Sequence, residues 1–426
     1  MGHSSVVAQT PQTTASSSQV VAFINVNVIP MDRAQILKNQ TVIIKNSRIA
    51  QIGLAKKTKV PKGVLRIDGS DKYLMPALAD MHTHLYNPDS LSLLQYLATG
   101  VTTIRVMNGR SYQLQWREQI IRGELLGPTL YAACPTIYGR ANSSSARAGF
   151  KEPTTADEAA QLVADYKRAG YDFIKVYSFL SPEIYAAIIK TASEQGIRVV
   201  GHVPWSVGVR GVIAARQSSI EHLFGYLEAI ETEESQKRSD ADFRNLFHAV
   251  EFHEDQLAAL IIATRAAGIW NTPTMVFFEK RLPFSGAREA WENSPLRKLG
   301  HENREKVVRA LYNAGARLLL GTDSGEGQGS VLPAAILEEL ELLVEAGLTP
   351  YDAIKTGTLN AAEYLNGSND FGTVTRGKRA DLLLIECNPL SNISCVSKQS
   401  GIMVRGRWLT KQEIEVMMKE DSSKPK

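Results

Sequence analysis

Leu74-Met75-Pro76-Ala77-Leu78-Ala79-Asp80-Met81-His82-Thr83-His84-Leu85 is an apolar run that leaves a proline and ends in two histidines one residue apart. As a strand it alternates its side chains between faces, so His82 and His84 point the same way. Two imidazoles on one face, at the end of a buried strand, can grip a single metal ion. A lone His-x-His pair fits an inert turn equally well, so the rest of the chain has to decide.

From Leu74 onward, short apolar runs alternate with helical patterns, which predicts a parallel sheet with crossover helices. Eight such runs can be counted: Leu74–His84, Val101–Met107, Thr129–Cys134, Tyr171–Tyr177, Ile197–His202, Ser219–His222, Ile269–Met275 and Ala316–Asp323. Helix starts lie between and after them. Thr155 with Glu158 suits a capping box, and Ser181-Pro182 and Thr349-Pro350 each put a cap before an N1 proline. Eight strand–helix units predict an α/β fold of the (β/α)8 TIM-barrel type.

Both ends of the chain have a different texture. Ala22–Val28, Gln40–Lys45, Arg48–Gly53 and Gly63–Ile67 read as closely spaced strands, as do Gly372–Val374, Asp381–Ile385 and Ile402–Val404. The expectation is a small β-sandwich domain formed from both termini, residues 21–73 and 368–412. It flanks a barrel over residues 74–367, with tails at 1–20 and 413–426.

Composition narrows the class. At 426 residues, with 44% hydrophobic and 22% charged, the chain is ordinary for a globular protein. A net charge of +4, from scattered basic residues, gives no nucleic-acid footprint. No apolar run approaches a membrane span. Cys134, Cys387 and Cys395 form no disulfide framework and no Cys-x-x-Cys pair, and read as buried or idle thiols. The compartment stays open: cytoplasm by default, periplasm or exterior if a signal was removed before Gln9.

The polar groups at the strand ends carry the chemistry. His82 and His84 close the first barrel strand, Lys175 lies in the fourth, His202 ends the fifth, His222 the sixth and Asp323 the eighth. Barrel folds place catalysis at the C-terminal ends of their strands, so all six can converge on one mouth. Four histidines and an aspartate suit Zn²⁺ or a similar divalent ion. His248, His253 and His301 lie in polar helical stretches and read as surface residues.

Pro-x-Leu-x-Asp-Met-His-Thr-His, the strand lysine, Gly-His-Val-Pro, Ile-Glu-His-Leu and Gly-Thr-Asp-Ser together resemble the amidohydrolase superfamily, in particular its imidazolonepropionase-like and prolidase-like branch. The resemblance runs from about Phe23 to Trp408. It implies a site for two divalent metal ions, zinc first among them. His82, His84 and Asp323 would hold the more buried ion, and His202 and His222 the more exposed one. Lys175, carboxylated by CO₂ to a carbamate, would bridge them. The resemblance further implies a bridging hydroxide as nucleophile, with Asp323 moving its proton to the leaving group. Ala77 and Gly201-His202-Val203-Pro204 depart from the family's commoner Gly and Ala-His-Ala without removing a ligand.

Substrate contacts are expected from the loops after the strands: Arg140, Tyr177, Trp205 and Tyr226. An arginine of the third loop with Tyr177 could hold a carboxylate, as an N-acyl amino acid or dipeptide requires. The leading expectation is hydrolysis of an amide bond in such a small-molecule substrate. Three alternatives stay open: an esterase, lactonase or phosphotriesterase using the same site, a cyclic-amide hydrolase or deaminase, and a non-catalytic scaffold. Neither nucleic acid nor membrane is expected as a partner, and a homo-oligomer is compatible with the sequence.

Overall fold

The computed structural model describes residues 20–139, 150–237, 248–280, 293–325 and 332–422. Strands of both chain ends share one sheet. β1 (Val21–Val28), β2 (Leu37–Lys45), β3 (Arg48–Leu54), β4 (Leu65–Asp68) and β5 (Tyr73–Pro76) supply its N-terminal part. After them come β6 (Leu78–Thr83), β7 (Val101–Val106), β8 (Thr129–Ala132), β9 (Phe173–Val176), β10 (Arg198–Gly201), β11 (Ser219–Glu221), β12 (Trp270–Thr272) and β13 (Arg317–Leu318). The terminal sheet then resumes with β14 (Leu382–Ile385), β15 (Gln399–Val404) and β16 (Arg407–Thr410). Its order is β16-β15-β14-β5-β1-β2-β3, with β4 beside β1.

The eight inner strands are parallel and fall into two groups, β6-β7-β8 and β9 to β13 in sequence order. Backbone bonds cross both gaps between the groups. Cys134 N donates to Phe173 O at 2.8 Å on one side, and Met81 N to Leu320 O at 2.8 Å on the other. Each inner strand falls inside one of the eight apolar runs of the sequence. The first run, however, is two strands. β5 pairs with β14, and after Ala77 the chain leaves that sheet so that Leu78 N reaches Gly100 O.

Crossover helices begin where their caps predict. Thr155 Oγ1 accepts from Glu158 N at 3.2 Å before the helix Ala156–Ala169, and Ser181 Oγ from Ile184 N at 3.3 Å before Pro182–Glu194. The helix after Thr349 is interrupted. It runs Pro350–Thr356, then Leu359–Tyr364, because Gly357 gives its carbonyl to Ala79 N and sits too close to Leu320 for a Cβ.

Three expectations need correction. Gly372–Val374 is not a strand. The tail expected from residue 413 is a helix, Lys411–Ser422, capped by reciprocal bonds between Thr410 and Glu413 and anchored by buried Ile414. Cys387 and Cys395 are joined in a disulfide, because the 3₁₀ turn Ile393–Ser397 brings their Cα atoms to 5.4 Å. Cys134 is a buried free thiol, and burial pushes it up to about 12. Among the described residues no helix is long and apolar enough to cross a membrane.

Candidate metal centre

The ends of the inner strands gather all six residues that the sequence singles out. His82 is the fifth residue of β6 and His84 lies just past its end; Lys175 is within β9; His202 and His222 follow β10 and β11 directly. Asp323 arrives on the loop after β13 and takes a left-handed φ of 56°. Its Oδ1 lies 2.9 Å from His84 Nε2 and 3.3 Å from His82 Nε2. The His82 and His222 rings are 4.6 Å apart, and His222 and His202 are 4.9 Å apart. One donor atom each from His82, His222 and Asp323 falls within 4.8 Å of the others.

These spacings suit an ion. Donors bound at about 2.1 Å around one cation stand roughly 3–3.5 Å from each other. His82 Nε2 is buried with no hydrogen-bond partner, and so is His84 Nδ1. A polar atom buried in that way calls for an explanation, and an ion against His82 Nε2 supplies one.

Electrostatics favour the ligating forms. Burial pulls His82 down to about 4, the nearby Lys175 helping against Asp323 and Glu221. Burial also carries His222 well below its usual range. Both imidazoles are therefore neutral near pH 7, as metal binding requires. Burial acts to raise Asp323, but His82 and the neighbouring histidines outweigh it and hold the carboxyl well below the usual range. Lys175 is pulled down to about 8, mainly by burial, although Glu221 and Asp323 oppose the shift.

An outer set of groups orients these side chains. Glu221 Oε2 lies 2.9 Å from His82 Nδ1. Burial would raise Glu221, yet Arg105 and His82 hold it far below the normal carboxylate range, so it only accepts. The Nδ1 proton then belongs to His82, and Nε2 keeps its lone pair toward the site. Arg105, fully buried, grips both oxygens of Glu221 at 2.9 and 3.0 Å and also donates to Ser219, Tyr364 and Thr272. Asp80 ties β6 to the Asp323 loop. Its Oδ1 accepts from His82 N and Thr322 N, and Oδ2 accepts from Thr322 Oγ1 at 2.6 Å. Ser178 Oγ lies 2.8 Å from His202 Nδ1, and Thr274 Oγ1 lies 2.7 Å from His222 Nδ1.

Two glycines make room. A Cβ on Gly201, whose φ is 130°, would come within 2.2 Å of Val176 O and 3.0 Å of the Lys175 stem. That close approach explains why glycine, not alanine, precedes His202. A Cβ on Gly321 would reach 3.0 Å from His82 Cβ.

The expected substrate contacts divide. Tyr177 stacks on His202 with ring centroids 4.0 Å apart, and Tyr138 stacks on Tyr177 at 4.9 Å. Trp205 is 65% exposed, its ring edge-to-face with Phe179. Tyr226 is not at the mouth. The left-handed residues His222 and Leu223, followed by Gly225, turn the chain inward, and the Tyr226 hydroxyl donates to Asn271 and Thr264 in the core. Arg140 lies outside the described residues.

His248 also differs from its surface assignment. It is 1% exposed, packed on Phe224 and Phe278, and burial pulls it down to about 3. His301 is half-buried, 3.0 Å from Glu279, whereas His253 is exposed as expected. Sequence reasoning missed Arg105, Asp80 and Thr274. For Arg105 a signal existed, a lone charge inside the apolar run Val101–Met107.

The model of the amidohydrolase family matches residues 73–409. The chain belongs to the amidohydrolase family. It is a hydrolase acting on C–N bonds. An imidazolonepropionase of Geobacillus sp. (strain WCH70) is 21% identical over 418 residues, which span 87% of this chain and 90% of that protein. Among solved structures, a bottromycin amidohydrolase superposes with a TM-score of 0.73 at 20% identity, covering 96% of this chain and 94% of that one. A Xaa-Pro dipeptidase with bound methionine in its active site gives 0.71 at 19% identity, covering 92% of this chain and all of that one (100%). At such identities the structures speak for a shared fold.

Proposed function

We propose that this amidohydrolase is a binuclear metal-dependent enzyme that cleaves an amide bond in a peptide-like or N-acyl amino-acid substrate. The observation that carries the reading is the buried Nε2 of His82, free of hydrogen bonds and facing a carboxylate that His84 also touches. His82, His84 and Asp323 would hold one divalent ion, His202 and His222 a second, with zinc suited to this N/O donor set. Lys175 would bridge them as a carbamate. Its lowered pKa favours this role, because the free amine is the form that adds to CO₂.

When bound, the ions acidify a water into a nucleophile and polarise the scissile carbonyl. The chain's own groups do the rest. Asp323, ionised at neutral pH, accepts the water's proton and returns it to the leaving nitrogen. Glu221 keeps the His82 proton on Nδ1 throughout. Tyr177 and Trp205, with Arg140 from the third loop, would meet the substrate, the arginine taking its carboxylate.

The same reading closes the eight inner strands into a (β/α)8 barrel. The bonds from Cys134 to Phe173 and from Met81 to Leu320 support it. The terminal strands, residues 21–73 and 368–412, would form a small β-sandwich around buried Phe23, whose ring meets half-buried Trp408 edge-on, next to a catalytic domain of residues 74–367.

The test is a combined metal and hydrolysis assay. The purified protein should hold about two ions per chain and Lys175→Ala at least one fewer. A panel of N-acyl amino acids, dipeptides, aryl esters, lactones and phosphotriesters should show turnover of the amides. Turnover confined to lactones or phosphotriesters would refute the assignment of the bond.

A further inference from the structure

Thr274, just past β12, holds a conformation that a β-branched residue rarely adopts. Its φ is +50° and its side chain is fully buried. Such a residue relaxes unless its surroundings pin it. Here the pin is visible. The next two residues begin the helix Met275–Lys280, and their N–H groups donate to one carboxylate, Met275 to Glu339 Oε1 at 3.0 Å and Val276 to Glu339 Oε2 at 2.7 Å. Glu339 belongs to the helix Ile336–Glu345, packed alongside, and is itself wholly buried. On the other side of the strained residue, Thr274 Oγ1 meets His222 Nδ1 at 2.7 Å.

We infer that Glu339 is a positioning residue for the metal centre: by gripping two consecutive N–H groups it fixes strained Thr274, whose hydroxyl aims the His222 ring. The inference rests on the proposed role of His222 as a ligand. A ligating imidazole needs its second nitrogen held by a partner, which sets both tautomer and orientation. For His222 that partner is a hydroxyl on a residue that would abandon its left-handed φ if released. Glu339 is the only described side chain bonded to both N–H groups of the following turn. No local sequence feature links residues 222, 274 and 339; the link runs through space.

Burial pushes Glu339 up to about 8 against the pull of its two N–H partners. Because each oxygen accepts one N–H, the contacts are specific for a group with two acceptors. A glutamine at 339 keeps the size but points an N–H₂ at an N–H, so one of the two bonds is lost. A valine at 274 keeps the shape and β-branching but removes the hydroxyl. A serine at 274 restores it.

The experiment measures Zn²⁺ affinity of the full-length protein by competition with a chromophoric chelator, alongside the unfolding temperature without metal. Thr274→Val and Glu339→Gln should each weaken one of the bound zinc equivalents by about 10–100-fold. The double variant should be no weaker than the weaker single, because both act on one ring. Thr274→Ser should bind as wild type does. If Glu339→Gln fails to fold, Glu339→Asp, which draws the carboxylate back by one methylene, should show the same selective loss to a smaller extent. A Glu339 variant that melts early yet binds zinc normally would overturn the proposal, and so would additive losses in the double variant. His222→Ala separates the two levels. If it binds as much zinc as wild type, His222 is no ligand and the underlying reading fails. If it loses an equivalent while the Thr274 and Glu339 variants lose nothing, only the positioning proposal fails.

Discussion

In the terminal sheet the left-handed residues are mostly Asn25, Asn39, Asn46, Ser47 and Asp71, short polar side chains in turns and bulges. At the candidate metal centre they are His222, Leu223, Thr274 and Asp323. Asn and Asp adopt that region at small cost, whereas Leu and Thr do not. The contrast extends to polarity. The core of the terminal sheet is built mainly from apolar residues such as Phe23, Val42, Leu382 and Met403. Beneath the strand-end mouth, Arg105, Glu221 and Asp80 are completely buried and held by several bonds each. One region spends its interactions on stability, and the other accepts strain and buried charge to hold side chains at fixed angles.

Substitutions in the two regions should therefore fail in different ways. Asp323→Asn should lower kcat about 10²–10⁴-fold while the protein stays folded. Phe23→Ala should do the reverse, with about 3–5 kcal/mol lost in denaturant unfolding and kinetic constants unchanged under native conditions. If Asp323→Asn turned over normally, or Phe23→Ala altered KM, the division between the regions would collapse. Glu221→Gln tests whether buried charge at the mouth is also structural. It strands the Arg105 guanidinium, and breaking such a pair costs about 3–5 kcal/mol. Urea unfolding of the metal-free protein should show that loss, and the variant as purified should hold less metal than wild type.

The smallest effect is in acid. Burial acts to raise Glu279, but the His301 bond and the Arg304 charge outweigh it and pull the carboxyl down to about 2. The unfolded chain, with its pKa near 4.5, then takes up protons first as pH falls. The contribution of Glu279 is present above pH 4.5 and is lost on the way down to about 2. Unfolding of Glu279→Gln followed against pH should show a shallower slope in that window.

How much of this could be read in advance follows from where the information lies. The eight inner strands, and the meeting of six polar side chains at their ends, were legible, because strand ends line one mouth and alternation fixes which side chains share a face. Tyr226 was misplaced because the same rule assumes that the chain continues outward, whereas the left-handed pair at His222 and Leu223 turns it in. His248 looked exposed from its polar neighbours, yet aromatic rings from two other elements enclose it. The Cys387–Cys395 bridge depends on a 3₁₀ turn that no cysteine spacing announces. Glu339 was invisible for a related reason: its partners are backbone groups, which carry no residue-type signature.

The terminal sheet has a consequence for synthesis. Lys72, beside β5, bonds Glu386, 314 residues further along, and β5 itself lies between β1 and β14. A chain emerging from the ribosome can assemble its parallel strands as they appear, but β5 keeps an open edge until β14 is made. Pairing across so long a loop comes late, and an unsatisfied edge invites association in the meantime. Truncation before Leu382 would make that transient exposure permanent, so loss of a distant C-terminal strand would be felt first as insolubility.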